Sequence, residues 1–164
     1  MKGIIIYKSN YGSTEQYARW IGETTGFKAI NVKDVKKSDI TDSDAVVFGC
    51  PNIAGKPLLA KWIEKRKDLL SGKKLALFTT SGADAKDPVL QKGFEAGFSP
   101  ELRKELKYFP QNGRMIFSEL SGMHKFLMRL GQKMVKDPAE KEEMVRDKDN
   151  MDRSGLKDLL EYLA

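Results

Sequence analysis

The chain has one cysteine and one histidine in 164 residues, and these scarcities exclude more than any other feature. Cys50 cannot close an intrachain disulfide, which fits a reducing compartment. With only Cys50 and His124 available, a Cys/His zinc centre lacks ligands, and a Cys–His nucleophilic pair would need those two residues to meet. Neither a metal site nor a protein-derived catalytic group is expected. Long apolar runs are also missing: nothing approaches the ~18 apolar residues that a membrane-spanning helix needs. The apolar start, Gly3 to Tyr7, stops at Lys8 and gives way to turn residues, so it reads as a buried strand and not as a signal peptide. A cytoplasmic protein is expected, soluble or at most peripheral to a membrane.

Hydrophobic residues make up 40% of the chain and charged residues 32%, which suits a globular domain and is too apolar for a disordered chain. The length matches one domain over 1–164. Net charge is +6, a moderate excess that is unevenly spread. Residues 101–136 carry eight basic and three acidic side chains, whereas 137–153 carry seven acidic and four basic. A solvated basic face is the favoured reading, and no nucleic-acid partner is expected.

Apolar, β-branched runs at 3–8, 27–32, 45–48 and 75–79 read as strands. Between them lie helical patterns from Ser13 to a stop at Gly26, from Lys56 to Leu70, and irregularly from Pro88 to Lys104. Ser13 with Gln16 has the spacing of a capping box. Tyr108-Phe109 and Met115 to Phe117 bracket a turn at 110–113 and are expected to complete the sheet. Two amphipathic helices close the chain, with apolar stripes at Met123, Phe126, Leu127, Leu130 and Met134 and at Leu156, Leu159, Leu160 and Leu163. Residues 137–155 read as an exposed connection. Strand–helix alternation implies right-handed crossovers and a doubly wound parallel sheet between helical layers. Ligands of such sheets sit beyond the carboxyl ends of the strands, which singles out the loops at 9–14, 49–56 and 79–87.

The first loop, Ser9-Asn10-Tyr11-Gly12-Ser13-Thr14, is rich in hydroxyls and runs from a strand into a helix. Helical N–H groups and the positive end of the helix dipole favour an anion there, and Gly12 allows a tight turn or a close backbone approach. Simple helix capping by Ser13 and Gln16 is the competing explanation. G-x-G-x-x-G and Gly-Lys-Ser/Thr are both missing. The acidic positions of a phosphoacceptor domain hold Lys8-Ser9 and Gly49-Cys50. A cysteine phosphatase would want Arg where Lys56 follows Cys50.

Ser9-x-Tyr11-Gly12-x-Thr14 resembles the FMN phosphate loop of the flavodoxins. Gly49-Cys50-Pro51-Asn52-Ile53 and Thr80-Ser81-Gly82-Ala83 lie where that family covers the two sides of the isoalloxazine ring. The stretch from Tyr108 to Met128 resembles a branch related to the quinone-dependent protoporphyrinogen dehydrogenases. The resemblance implies a flavodoxin-like three-layer α/β sandwich with a five-stranded doubly wound parallel sheet, and FMN as cofactor. It implies cofactor-binding residues Ser9, Asn10, Tyr11, Gly12, Ser13, Thr14, Pro51, Asn52, Ile53, Ala54, Gly55, Thr80, Ser81, Gly82 and Ala83. Ile53-Ala54-Gly55 is the expected flexible segment beside the ring, with Gly55 or Ala54 supplying the peptide, and Lys56 at the end of that loop is expected to be a cation near it.

The usual stacking aromatic is missing, since Ile53 and Ala54 stand in its place. Tyr11, Phe109 and Phe117 are candidates to replace it. The function implied is FMN-dependent electron transfer or a small flavin oxidoreductase, with a redox protein or quinone as partner. Two alternatives stay open: a quinone-dependent protoporphyrinogen dehydrogenase, and a flavin-free binding or regulatory module of the same fold. For the basic amphipathic helix near 123–136, packing of its apolar stripe on the sheet is favoured over peripheral contact with an anionic membrane.

Overall fold

A computed structural model describes residues 1–164. Its elements are β1 (Gly3–Tyr7), α1 (Ser13–Thr25), β2 (Lys28–Asn31), α2 (Lys37–Thr41), β3 (Ala45–Ile53), β4 (Lys56–Pro57), α3 (Ala60–Glu64), β5 (Lys74–Ser81), α4 (Pro88–Gly97), α5 (Pro100–Glu105) and β6 (Leu106–Asn112). There follow β7 (Arg114–Met115), α6 (Gly122–Met134), α7 (Pro138–Met144), β8 (Lys148–Asp149) and α8 (Lys157–Leu163), with short 3-10 turns at Lys67–Leu69, Phe117–Glu119 and Arg153–Leu156.

The five principal strands lie in the order β2-β1-β3-β5-β6, and every pairing among them is parallel. Because side chains alternate across a strand, the sheet splits its residues between two cores. Ile4 and Ile6 of β1, Val46 and Phe48 of β3, and Leu75 and Leu77 of β5 pack with Ile40 of α2, Ile63 of α3, Phe94 of α4 and Leu102 of α5. On the opposite face Ile5, Val47, Ala76 and Phe78 pack with Tyr17, Ala18 and Ile21 of α1 and with Leu156, Leu159 and Leu163 at the chain's end. This is the three-layer, doubly wound arrangement expected from the strand–helix alternation. The winding reverses between β1 and β3, so their carboxyl ends diverge into separate loops and open a crevice.

Four local expectations are corrected. The continuous helix over 56–70 is instead a hairpin strand, a five-residue helix and a 3-10 turn, because Lys56 and Pro57 pair back onto Ile53 and Asn52. The turn expected at 110–113 lies mostly inside β6. That strand forms the sheet edge, where proline's missing N–H is tolerated. Met115 does not join the main sheet but pairs with Lys148 in a two-stranded ribbon. Residues 137–155 hold α7 and β8 and are not merely a connection.

The stripe of α8 meets expectation, with Leu156, Leu159 and Leu163 buried against β1, β3, β5 and α1. The stripe of α6 does not: no residue of that helix is buried, and Met123, Phe126, Leu127, Leu130 and Met134 are exposed. No helix is long and apolar enough to cross a membrane. Leu159→Ala should lower unfolding stability by about 2–5 kcal/mol in a denaturant titration, the range for a leucine deleted from a packed core.

Candidate functional site

At the carboxyl ends of β1, β3 and β5 the three loops enclose a cleft of about 400 Å³, within the usual range for small-ligand sites. Gly12 forms the N-cap of α1 at φ 95°. That left-handed conformation is strained for any residue with a Cβ. The capping box expected from Ser13 and Gln16 does not form, and no side chain caps the helix. Gly12 takes the N-cap, so Ser13 falls at the first helical position, where its Oγ accepts the Arg114 N–H at 3.1 Å. The Ser9 hydroxyl takes the Gly12 N–H at 3.0 Å, which shapes the turn. The N–H groups of Ser13, Thr14 and Glu15 therefore open the helix without a protein acceptor.

A hydroxyl contact between Thr14 and Thr80, 2.8 Å long and buried, ties this loop to the one after β5. The Asn112 side chain accepts the Ala85 N–H at 2.9 Å and holds the remainder of that loop. The third loop is a β3–β4 hairpin whose two tip residues both have positive φ, Ala54 at 51° and Gly55 at 76°, the signature of a type I′ turn. Ala54 is the one non-glycine residue of the chain in this region. The tip is braced by α4: a Cβ on Gly93 would stand 1.5 Å from the Gly55 carbonyl oxygen.

Beneath the hairpin, Asn52 Nδ2 donates to the hydroxyls of Thr79 and Tyr108, each at 3.2 Å. Those two hydroxyls lie 2.8 Å apart, and the Tyr108 ring stacks on Phe94 at 4.7 Å. Burial raises the Tyr108 pKa above the ordinary phenol value, against lowering by bonds from Thr79 and Asn52. The phenol is thus a neutral prop for the Asn52 amide. Asn52 lines the cleft, and its Oδ1 is buried without a partner.

Of the residues expected to bind a cofactor, Ser9, Asn10, Tyr11, Ser13, Thr14, Pro51, Asn52, Ile53, Ala54, Thr80, Ser81 and Gly82 line the cleft. Gly12, Gly55 and Ala83 do not line it; Gly12 and Gly55 shape the turns beside it, and Ala83 faces a separate depression. Lys56 is exposed and lies outside the lining. Seven further lining residues come from the excursion between β6 and α8: Gly113, Arg114, Met115, Leu120, His124, Leu127 and Met128. Met115, Leu120, Leu127 and Met128 add an apolar wall where the sequence offers no stacking aromatic. Phe109 packs instead on Tyr162 at 5.8 Å, and Phe117 does not reach the cleft.

The N-terminus of α6 is latched to the first loop. The Tyr11 hydroxyl accepts the Ser121 N–H at 3.1 Å and also meets His124 Nδ1. No acidic side chain lines the cleft. Its lining guanidinium, Arg114, is shared with Glu119 at 3.6 Å and Asp149 at 3.8 Å.

With this geometry in place, comparison with known proteins is informative. A family model described as the flavodoxin domain matches residues 4–142, most of the chain. The chain belongs to the flavodoxin domain family. This flavodoxin domain is similar to two-electron reduced flavodoxin from Megasphaera elsdenii, at 18% identity over 68% of this chain and 83% of that one, with a TM-score of 0.48. It is also similar to oxidised Flavodoxin 1 from Bacillus cereus, at 18% identity over 69% and 85%, TM-score 0.48. A third similar structure is a flavoprotein in complex with FMN from Lactobacillus acidophilus, at 17% identity over 68% and 91%, TM-score 0.48. No curated protein matches the sequence.

Cys50 lies at the end of the third strand, but its thiol is fully buried with the Leu59 N–H directed at its sulfur at 3.5 Å. Burial, ahead of every other influence, pushes its pKa to about 12. In this flavodoxin domain Cys50 is therefore a neutral packing residue and not a redox group. The native state keeps the proton where the unfolded chain loses it. The associated stability is complete below an unfolded pKa of about 8.5 and is lost as pH rises toward 12. Native protein should accordingly react with a thiol reagent at pH 8 only at its unfolding rate, which the release of the reporter thiolate measures. Gly93→Ala should cost about 1–3 kcal/mol in denaturant unfolding, as overpacking does, because the hairpin tip must move away from the new methyl group.

Proposed function

We propose that this flavodoxin domain holds FMN in the cleft and passes electrons through it, with a redox protein or a quinone as partner. The observation that carries the reading is the start of α1. Three N–H groups without acceptors, at the positive end of a 13-residue helix, are a seat for a phosphate ester. The orphaned Asn52 Oδ1 supports it, since a buried acceptor without a partner in the protein is satisfied by a donor on a ligand. The residues therefore fit a ligand with an anionic end and a ring bearing N–H groups. Bound there, FMN supplies one- and two-electron redox chemistry.

The chain's own residues perform binding and shielding. Ser9, Asn10, Tyr11, Ser13 and Thr14 receive the phosphate with neutral donors, backed by the Gly12 turn. Thr80, Ser81 and Gly82 border the ring on one side. Pro51, Asn52, Ile53 and Ala54 border it on the other, with Gly55 setting the hairpin. Met115, Leu120, Leu127 and Met128 keep water from it. With no carboxylate in the lining, the cleft imposes no like-charge penalty on an electron-rich ring.

A second reading is oxidation of a bulky apolar substrate of the protoporphyrinogen type with a quinone as acceptor. The observation favouring it is that Leu127 both lines the cleft and is exposed beside it, so an apolar molecule has a surface on which to approach.

Titration of the pure protein should quench FMN fluorescence at micromolar concentrations. Riboflavin, which lacks the phosphate, should bind at least tenfold more weakly, and Thr14→Val should weaken FMN by about tenfold, the loss of one or two good hydrogen bonds. Equal affinity for FMN and riboflavin would remove the phosphate seat, and no quenching at all would leave the flavin-free module. Turnover with protoporphyrinogen and quinone separates the two redox readings.

A further inference from the structure

We propose that the outer face of α6 docks on an anionic lipid surface. Among the large apolar side chains exposed anywhere in the chain, two are scattered, Met1 and Val89, and the other five belong to α6. Met123 is 73% exposed, Phe126 61%, Leu127 52%, Leu130 42% and Met134 86%. Their spacing of three and four places all five on one side of the helix. Isolated exposed apolar residues are ordinary, whereas a contiguous set on one helix marks an interaction surface.

This face is not a core awaiting closure within the same chain. The opposite side of α6 is already engaged. Its N-terminus is capped by Ser121, which accepts the His124 N–H at 3.2 Å, and is latched to Tyr11. Farther along, Gln132 donates to the Lys141 carbonyl at 2.7 Å, and Gly131 lies against Met144. With those contacts made, Met123, Phe126, Leu130 and Met134 are turned outward, and Leu127 stands at the cleft's edge beside them.

Charge selects the occupant. From Leu120 through Lys136 there is no acidic residue, while Lys125, Arg129, Lys133 and Lys136 are basic. Lys125 reaches back to the Ser118 carbonyl at 3.1 Å. Arg129, Lys133 and Lys136 make no ion pair or side-chain hydrogen bond within the chain. The acidic residue of α7 that does pair, Glu143, is engaged with Arg146 and Lys148. Lys133 and Arg129 stand beside the apolar face, about 80° and 120° round the helix from its centre at ~100° per residue, whereas Lys125 lies toward the inner side. A helix with an outward apolar face and an unneutralised basic flank lies in the headgroup plane of a bilayer with anionic lipids. A second copy of the chain would bring the same uncompensated positive charges together and is disfavoured by that repulsion.

The docking rests on α6 alone and not on the flavin. If the cleft holds FMN, docking through a helix that also lines the cleft gives a redox carrier dissolved in the lipid direct access to it.

Flotation of the full-length protein with vesicles tests this, read by protein stain with and without added FMN. Binding is expected to mixed phosphatidylcholine–phosphatidylglycerol vesicles at low salt, and to fall at high salt and with phosphatidylcholine alone. Replacing Arg129 and Lys133 together by Gln should weaken it roughly 25-fold, about fivefold for each surface cation. The double change Phe126→Ser and Leu130→Ser should abolish it, with the unfolding midpoint and the FMN titration unchanged. Three results would each overturn the proposal: no anionic-vesicle binding at low salt, undiminished binding of the serine variant, or a dimer of the free protein that the serine changes dissolve. Because the readout is protein and not flavin, a failure of FMN binding leaves the lipid result intact.

Discussion

The first turn of α1 begins without a side-chain cap, and the surrounding structure is arranged around that fact. Glycine at the N-cap costs only a few tenths of a kcal/mol relative to a capping side chain, and Ser13, the first helical residue, binds the Arg114 backbone. Gly12 accepts a left-handed conformation so that the chain turns from β1 into the helix with its N–H groups facing the cleft. The Thr14–Thr80 contact then fixes the height of this turn against β5. A stability-driven sequence would place a capping side chain at position 12. Here the Ser13 hydroxyl buys position, joining the cleft's first loop to the segment that forms its far wall.

The same logic governs the hairpin. Ala54 occupies the left-handed region, which costs about 1–2 kcal/mol for a residue with a Cβ. The strain persists because the tip is held from both sides. Pairing of Ile53 with Lys56 fixes the hairpin register, and the bare Cα of Gly93 admits the Gly55 carbonyl. Strain retained under such bracing is characteristic of ligand loops. Below it, the Thr79–Tyr108–Asn52 cluster fixes the amide by its nitrogen and leaves the buried oxygen without a partner.

The sheet and its loops were legible because their signals are local. The unbroken apolar run Ile4-Ile5-Ile6, buried on both faces of the sheet, the block Ala45 to Phe48, and a glycine beside hydroxyls at 9–14 each declare themselves within a few residues. The far wall of the cleft was not legible, since it depends on contacts such as Ser13 with Arg114 and Tyr11 with His124, 101 and 113 residues apart in sequence. The capping pattern of Ser13 and Gln16 fails by one residue, because Gly12 in its left-handed conformation takes the N-cap and Ser13 becomes the first helical residue. Helix 56–70 was misread because Gly55 starts a hairpin that consumes its first turn. The stripe of α6 was visible as a pattern, yet amphipathicity alone does not say whether an apolar face turns inward or outward. The lone His124 gains its partner, Tyr11, only through the fold.

That outward turn has a structural cause. Residues 114–150 run outside the main sheet, and Met151 and Asp152 bring the chain back to the second core and Tyr17, so α6 has no face of that sheet to pack upon. The segment's own two-stranded ribbon pairs just Arg114 with Asp149 and Met115 with Lys148, too little surface to cover an amphipathic helix. What positions α6 is polar and sits at its N-terminus, at Ser121, His124 and Tyr11. A helix held by polar contacts at one end and by a few side chains along one flank keeps its apolar face free. Because the polar anchor is itself part of the cleft's first loop, whatever occupies the cleft and whatever meets the outer face of α6 act on the same short stretch of chain.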